Sequence, residues 1–288
     1  MGFSILVTAS LSMEKKKIKI AAFNVNSIRA RLELILNWLT HRSNDLDILC
    51  FQELKTPTEN FPHSEFKARG YHCAVWGQKG YNGVATCSKF PPQEVRRGFD
   101  GKIAGEDSRI ITTIFPYFSL INIYAPRGGE PASKKGIAKL EWYGQLFRFL
   151  ETTFNLQDPL AVMGDFNIAP SNLDVFSPKK LAGTIGTLPE ERQALARLFR
   201  LGLLDVFRAL YPQQQQFTWW DYVGGAIWRN EGLRLDLCLS TARFLELVQD
   251  CYVDLWPRRR RAPTPSDHAP LIIELNLNKV NEPATQIN

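Results

Sequence analysis

No Cys-x-x-Cys pair occurs anywhere in the 288 residues. The five cysteines, Cys50, Cys73, Cys87, Cys238 and Cys251, are odd in number, scattered and mostly set in apolar runs. That pattern argues against a structural zinc site and predicts buried, reduced thiols in an intracellular protein. A membrane-spanning run is also missing. The opening MGFSILVTASLSMEKKK has a short apolar stretch, but no basic residue precedes it and it is too short to cross a bilayer. Residues 1–16 are therefore expected to be a disordered leader, with Met13 as an alternative start, and residues 279–288 a polar tail. The glutamines at 213–216 are too brief a run to count as low complexity and read as loop. With no linker to divide it, the stretch 17–278 is expected to form one domain.

Hydrophobic residues make up 44% of the chain, enough for a sizeable core. The formal net charge of +6 favours polyanionic partners. Segments IKIAAFNV, LDILCFQE, YHCAVW, GVATCS, RIITTIF and SLINIYAP are β-branched or aromatic and bounded by Gly, Pro, Asn or Asp, so they read as strands. Between the first two, Leu32, Ile35, Leu36 and Leu39 recur at helical spacing. A second helix is expected over KKGIAKLEWYGQLFRFLETTF, followed by a buried strand in PLAVMGDF. LPEERQALARLFRLG reads as a third helix, with Pro189 near its start and Gly202 near its end. FTWWDY, LRLDLCLST, LELVQDCYVDLW and APLIIELNL are then expected to complete a second sheet. Strands mixed with a few helices, without regular βαβ alternation, predict an α/β fold of two packed sheets with helices outside.

Strand after strand ends in a carboxylate or carboxamide: Asn24 and Asn26, then Glu53, Asp165 and Asn167. Asp236 lies inside LRLDLCL, and Asp267 and His268 precede APLIIEL. One such residue is an ordinary cap or turn. Several converging from both halves predict a shared cation site, because a buried carboxylate must be paired, hydrogen-bonded or metal-bound. Oxygen ligands without clustered cysteines select Mg²⁺, with Mn²⁺ as the alternative, and such a metal suits phosphoryl chemistry.

FNVNSIRAR, LCFQELK, GYNGVA, SRIITTI, NIYAPRG, MGDFNIAPSNLD, LPEER, GLLDVFR, FTWWDY, GLRLDLCL and PSDHAP, in that order, resemble the exonuclease III branch of abasic-site endonucleases, within the endonuclease/exonuclease/phosphatase superfamily. The resemblance runs from Lys17 to Leu277. It implies a deoxyribonuclease I-like four-layered α/β sandwich, two packed mixed sheets flanked by helices, with the site where the loops of both sheets meet. It further implies a monomeric, cytoplasmic, nucleoid-associated enzyme of duplex DNA with abasic sites or blocked 3′ ends, with no membrane role. Such an enzyme cuts phosphodiesters 5′ to an abasic sugar or at a 3′ end and leaves a 3′-hydroxyl. The alternatives are a same-fold phosphoesterase on a lipid or inositol phosphate, or a catalytically silent DNA-binding homologue.

By the same resemblance, Glu53 binds the metal together with the Asn24 side, and Asp267 faces the metal region. Asp165 positions or deprotonates the attacking water, and Asn167 donates to the transition-state oxygens. Both of these, and His268, are also candidate metal ligands. His268 donates to a phosphate oxygen with Asp236 as its orienting carboxylate, and Tyr124 brings its hydroxyl to the scissile phosphate. For DNA, Arg109 lies near the phosphate, and Lys79 and Tyr81 sit in a Gly-flanked loop suited to the backbone. Trp219 matches the aromatic near the abasic-sugar pocket, while Trp220 reads as core. Arg127 is a departure, because after Tyr-x-Pro the family usually carries Gln or Asn. The arginines at 258–261 read either as a solvated charge run or as a clamp on the DNA backbone.

Overall fold

The computed structural model describes residues 17–99 and 107–278, so the expected leader and tail lie outside the described residues. The strands are β1 (Lys17–Asn24), β2 (Ile48–Gln52), β3 (His72–Trp76), β4 (Val84–Ser88), β5 (Glu94–Arg97), β6 (Ile110–Ile114) and β7 (Ser119–Tyr124) in the first half. The second half holds β8 (Leu160–Asp165), β9 (Leu204–Asp205), β10 (Trp219–Trp220), β11 (Gly232–Leu233), β12 (Asp236–Ser240), β13 (Val248–Val253) and β14 (Leu271–Asn276). The helices are α1 (Leu32–His41), α2 (His63–Lys67), α3 (Lys134–Thr153), α4 (Pro178–Leu181), α5 (Pro189–Arg200), α6 (Val206–Leu210), α7 (Ala226–Arg229) and α8 (Ala242–Leu247).

Two six-stranded sheets result, ordered β13-β14-β1-β2-β4-β3 and β5-β6-β7-β8-β12-β9, with β10-β11 as a separate ribbon. At the heart of each lies a parallel pair, β1 with β2 and β7 with β8. A parallel pair needs a crossover, and here α1 and α3 supply them. Period-two alternation then builds the layers. Ile18, Ile20 and Ala22 of β1 face Ala161 and Met163 of β8 between the sheets. Ala21 and Phe23 turn outward onto Ile35, Trp38 and Leu39 of α1. Across the second sheet, Ile121, Ile123 and Val162 turn outward onto Trp142, Tyr143 and Leu146 of α3. The order is helix, sheet, sheet, helix, as the fold class requires. Near one end the inter-sheet layer becomes polar: Gln52 Nε2 donates to Asn122 Oδ1 at 2.7 Å, and Asn122 Nδ2 donates to the carbonyls of Phe51 and Ala85.

Four expectations need correction. The second-half strands do not make a sheet of their own. β14 pairs with β1 in a six-residue antiparallel ladder, while β6 and β7 join β8 and β12. Local pattern does not specify a strand's partner. LELVQDCYVDLW begins inside α8, which Thr241 caps by accepting the Phe244 N–H, and becomes strand only at Val248. FTWWDY contributes only the two residues of β10. Cys73 and Cys87 are not reduced: they stand directly opposite in the β3–β4 register and form a disulfide, while Cys50, Cys238 and Cys251 are free and buried. Among the described residues no helix is long and apolar enough to cross a membrane.

Candidate active site

The carboxyl ends of both parallel pairs point to the same end of the sandwich. Asn24 ends β1, Glu53 follows β2, Tyr124 ends β7 and Asp165 ends β8, with Tyr124 and Asp165 in register. Asp236 opens β12 opposite Asp165, and His268 enters through a bridge to Trp219 just before β14. Asn24 joins the two sheets, its Nδ2 donating to Glu53 Oε1 at 3.0 Å and to Asp165 Oδ2 at 2.9 Å. The Tyr124 hydroxyl donates to Glu53 Oε1 at 2.8 Å. His268 Nδ1 meets Asp236 Oδ2 at 2.8 Å, and its Nε2 stands 3.8 Å from Asp165 Oδ2.

Backbone strain collects here. Glu53, Lys55 and Asn167 have φ near +52° and Asn26 has +46°, a region that costs a side chain energy and that recurs at functional sites. In return Asp165 is locked, with Oδ1 accepting the Asn167 N–H at 2.8 Å. One residue earlier, Gly164 has φ +136°, and a Cβ there would lie 2.1 Å from the Ile123 carbonyl oxygen. Only glycine lets β8 approach β7 closely enough to place that aspartate.

Charge in the site follows from burial and neighbours. Burial raises Asp165 to about 7, with Asp236 and Glu53 adding and His268 opposing. Burial pulls the His268 imidazole down, but Asp236 and Asp165 outweigh it and raise the ring to about 10, so it is cationic at neutral pH. Glu53 and Asp267 also feel burial upward, yet both end below the usual carboxylate range. Hydrogen bonds from Asn24 and Lys55 hold Glu53 down, and His268, Trp219 and Asn26 hold Asp267 down. Burial and the Glu53 and Asp165 carboxylates push the Tyr124 phenol up, so it stays protonated.

Two groups of side chains accept a cation. Asp165, Asp236 and His268 bring one ligand atom each within 4.8 Å of one another, and Asp236 Oδ1 is buried without a hydrogen-bond partner. There the cationic imidazole balances one of the two carboxylates. At the other, the Lys55 ammonium lies 2.8 Å from Glu53 Oε2 and 2.5 Å from Asn26 Oδ1, marking two convergent oxygens that take positive charge. Asp267 joins them, its Oδ1 accepting from Asn26 Nδ2 at 3.0 Å. An all-oxygen set of this kind fits a hard divalent cation. Beside them Asn24 Oδ1 accepts the Asn26 N–H, which leaves this oxygen a second lone pair, and its amide donates to the two acids.

The cavity above this cluster holds about 140 Å³ and is lined by Glu53, Tyr124, Arg127, Asn167, Trp219 and His268, among others. A sequence-family model described as the endonuclease/exonuclease/phosphatase family matches residues 21–268. The chain belongs to this family. Among its relatives, exodeoxyribonuclease III of Haemophilus influenzae is 36% identical over 272 residues, 89% of this chain and 99% of that protein. An AP endonuclease structure from Archaeoglobus fulgidus superposes with a TM-score of 0.83 at 39% identity, covering 89% of this chain and 98% of the other. The Neisseria 3′ phosphatase NExo bound to a product DNA hairpin gives a TM-score of 0.83 at 36% identity, with coverages of 90% and 99%.

Within this family member the expected DNA residues separate into distinct environments. Arg127 is exposed at the cavity rim and has no ion pair among the described residues. Trp219 lines the cavity and donates from Nε1 to Asp267 Oδ2 at 2.9 Å, whereas Trp220 is buried core, as expected. Arg109 stacks over the Tyr124 ring at 5.0 Å and donates to the Tyr124 carbonyl, so it props the tyrosine. Lys79 and Tyr81 are exposed on their loop but do not line the cavity. Arg258 fits neither expectation for the arginine run: it is 5% exposed and donates to the carbonyls of Trp220 and Asp267.

Lys139 escaped the sequence reading. Its fully buried Nζ donates to the carbonyls of Arg127 (3.1 Å) and Asn167 (2.8 Å) and to Glu191 Oε1 (2.7 Å). Glu191 Oε2 in turn accepts the Gly186 and Leu188 N–H groups, so one ion pair ties three loops beside the cavity. The signal was present: position 139 lies on the apolar stripe with Trp142, Tyr143 and Leu146.

Proposed function

We propose that this protein is a metal-dependent DNA repair nuclease that hydrolyses phosphodiesters 5′ to abasic sites and at 3′ ends of duplex DNA, leaving 3′-hydroxyls. One observation carries the reading: the cationic His268, oriented by Asp236, faces the buried Asp165 across 3.8 Å at the base of an arginine-rimmed cavity. Acid, base and anion-binding groups thus surround one small volume.

Asp165 positions the attacking water and takes its proton, a task suited to a carboxylate raised to about 7. Asn167 holds Asp165 in place from its N–H and from Nδ2 at 3.2 Å. His268 donates from Nε2 to a phosphate oxygen as charge grows there, while Asp236 holds the ring's orientation and its positive charge through Nδ1. Tyr124, kept protonated, offers its hydroxyl to the phosphate. Glu53, with Asn26 and Asp267, would hold Mg²⁺ or Mn²⁺, which supplies charge neutralisation on the phosphate oxygens. The names of the relatives and the net charge of +6 favour DNA over a lipid or inositol head group. On this reading the protein works as a monomer in the cytoplasm.

The test is incision of an abasic duplex with Mg²⁺ and with EDTA. Metal-dependent cleavage that leaves a 3′-hydroxyl is expected. An intact strand, or turnover of inositol phosphates instead, would overturn the reading.

A further inference from the structure

The arginines at 258–261 behave as two different things. Arg258 is an anchor: its guanidinium donates to the Asp267 carbonyl at 3.2 Å and the Trp220 carbonyl at 3.0 Å, and it lies 5.5 Å from the Tyr222 ring. Tyr222 closes the other side, its hydroxyl donating to the Pro265 carbonyl at 3.0 Å. Both ends of the loop are therefore fastened to the wall that carries Trp219, Asp267 and His268. Between these fastenings Arg259, Arg260 and Arg261 are exposed, and none has an ion pair among the described residues. Arg260 lies 4.6 Å over the Trp256 ring, which stacks on His41 at 4.6 Å and 14°. The middle of the loop thus rests on a stacked platform. Arg260 also donates to the Trp256 carbonyl at 3.2 Å, so with the backbone already ordered Arg259 and Arg261 meet a polyanion at the cost of side-chain freedom alone.

We propose that Arg259 and Arg261 form a second contact with the phosphate backbone of duplex DNA, beside the cavity, with Arg258 and the Trp256 platform holding the loop in register with the cut site. This rests on the DNA reading of the site. Its partner is the sugar-phosphate backbone, so it adds affinity without base preference.

The test is the salt dependence of binding to a duplex carrying a stable abasic analogue, in EDTA so that no cleavage occurs, for wild type, R259Q/R261Q and R259K/R261K. Loss of two phosphate contacts lowers the slope of log K against log salt by about 1.8. Over a fourfold rise in salt, wild type then loses about 12-fold more affinity than the glutamine variant. The lysine variant keeps the wild-type slope, and the melting temperatures of all three agree. Equal slopes in wild type and R259Q/R261Q would overturn the proposal and leave a solvated charge run. Failure of wild type to bind or incise abasic DNA would instead remove the functional reading, and this proposal with it.

Discussion

His268 is cationic because Asp236 touches it, and the chemistry of the site turns on that contact. Replacing Asp236 with Asn keeps the shape but removes the charge that fixes the protonated ring. Single-turnover incision by D236N is expected to fall about 10²- to 10⁴-fold. Arg127 is the other residue whose charge matters. R127Q is expected to weaken phosphate binding, lower the salt dependence, and shift the ratio of 3′-end trimming to abasic incision when both substrates are assayed side by side. Unchanged ratios would remove Arg127 from specificity. Much at this scale was legible in the sequence: Asp165 and Asn167 stand two apart at a strand end, and Asp267-His268 precedes an apolar strand. The convergence of Asn26 Oδ1 and Glu53 Oε2 on one cation, the Lys55 ammonium, was not, since it depends on left-handed backbone at all three positions.

Elements set these side chains at their distances, and α3 does so through a charge. Burial draws Lys139 below the usual lysine range, with the Glu191 carboxylate opposing. K139M would leave Glu191 buried and unpaired, so it is expected to cost about 3–5 kcal/mol in denaturant melts. K139M/E191L should regain much of that stability. Incision should recover less, because the carbonyls of Arg127 and Asn167 stay untied. The helices themselves were plain in the apolar spacing. Strand partnership was not, because β14 beside β1 and β7 beside β8 are set by contacts far apart in the chain. The opposition of Cys73 and Cys87 is likewise a matter of register, invisible until β3 and β4 are paired.

Across the whole molecule, a buried network at Arg234, between the cavity-lining Leu233 and Leu235, ties together segments distant in the chain. Arg234 Nε donates to Asp174 Oδ1 at 2.7 Å, Arg208 reaches the same oxygen at 2.7 Å, and Arg234 holds Asp205 through two more bonds. Burial pushes Asp174 up, but the two arginines and Ser171 outweigh it and leave it below the usual carboxylate range. A carboxylate depressed on folding contributes stability above its unfolded pKa and loses that contribution as pH falls through the folded value. The difference in Tm between wild type and D174N should be full at neutral pH and shrink below about pH 4. A constant difference down to pH 2 would remove Asp174 from acid unfolding.

The layer between the sheets acts as a gauge block. Glu53 and Asn24 ride on one plate, Asp165, Asp236 and Tyr124 on the other, and small residues such as Ala22 and Ala161 set the gap between them. Thickening that layer would pry the two half-sites apart while each plate stayed whole, so turnover should register a misfit interior well before melting does.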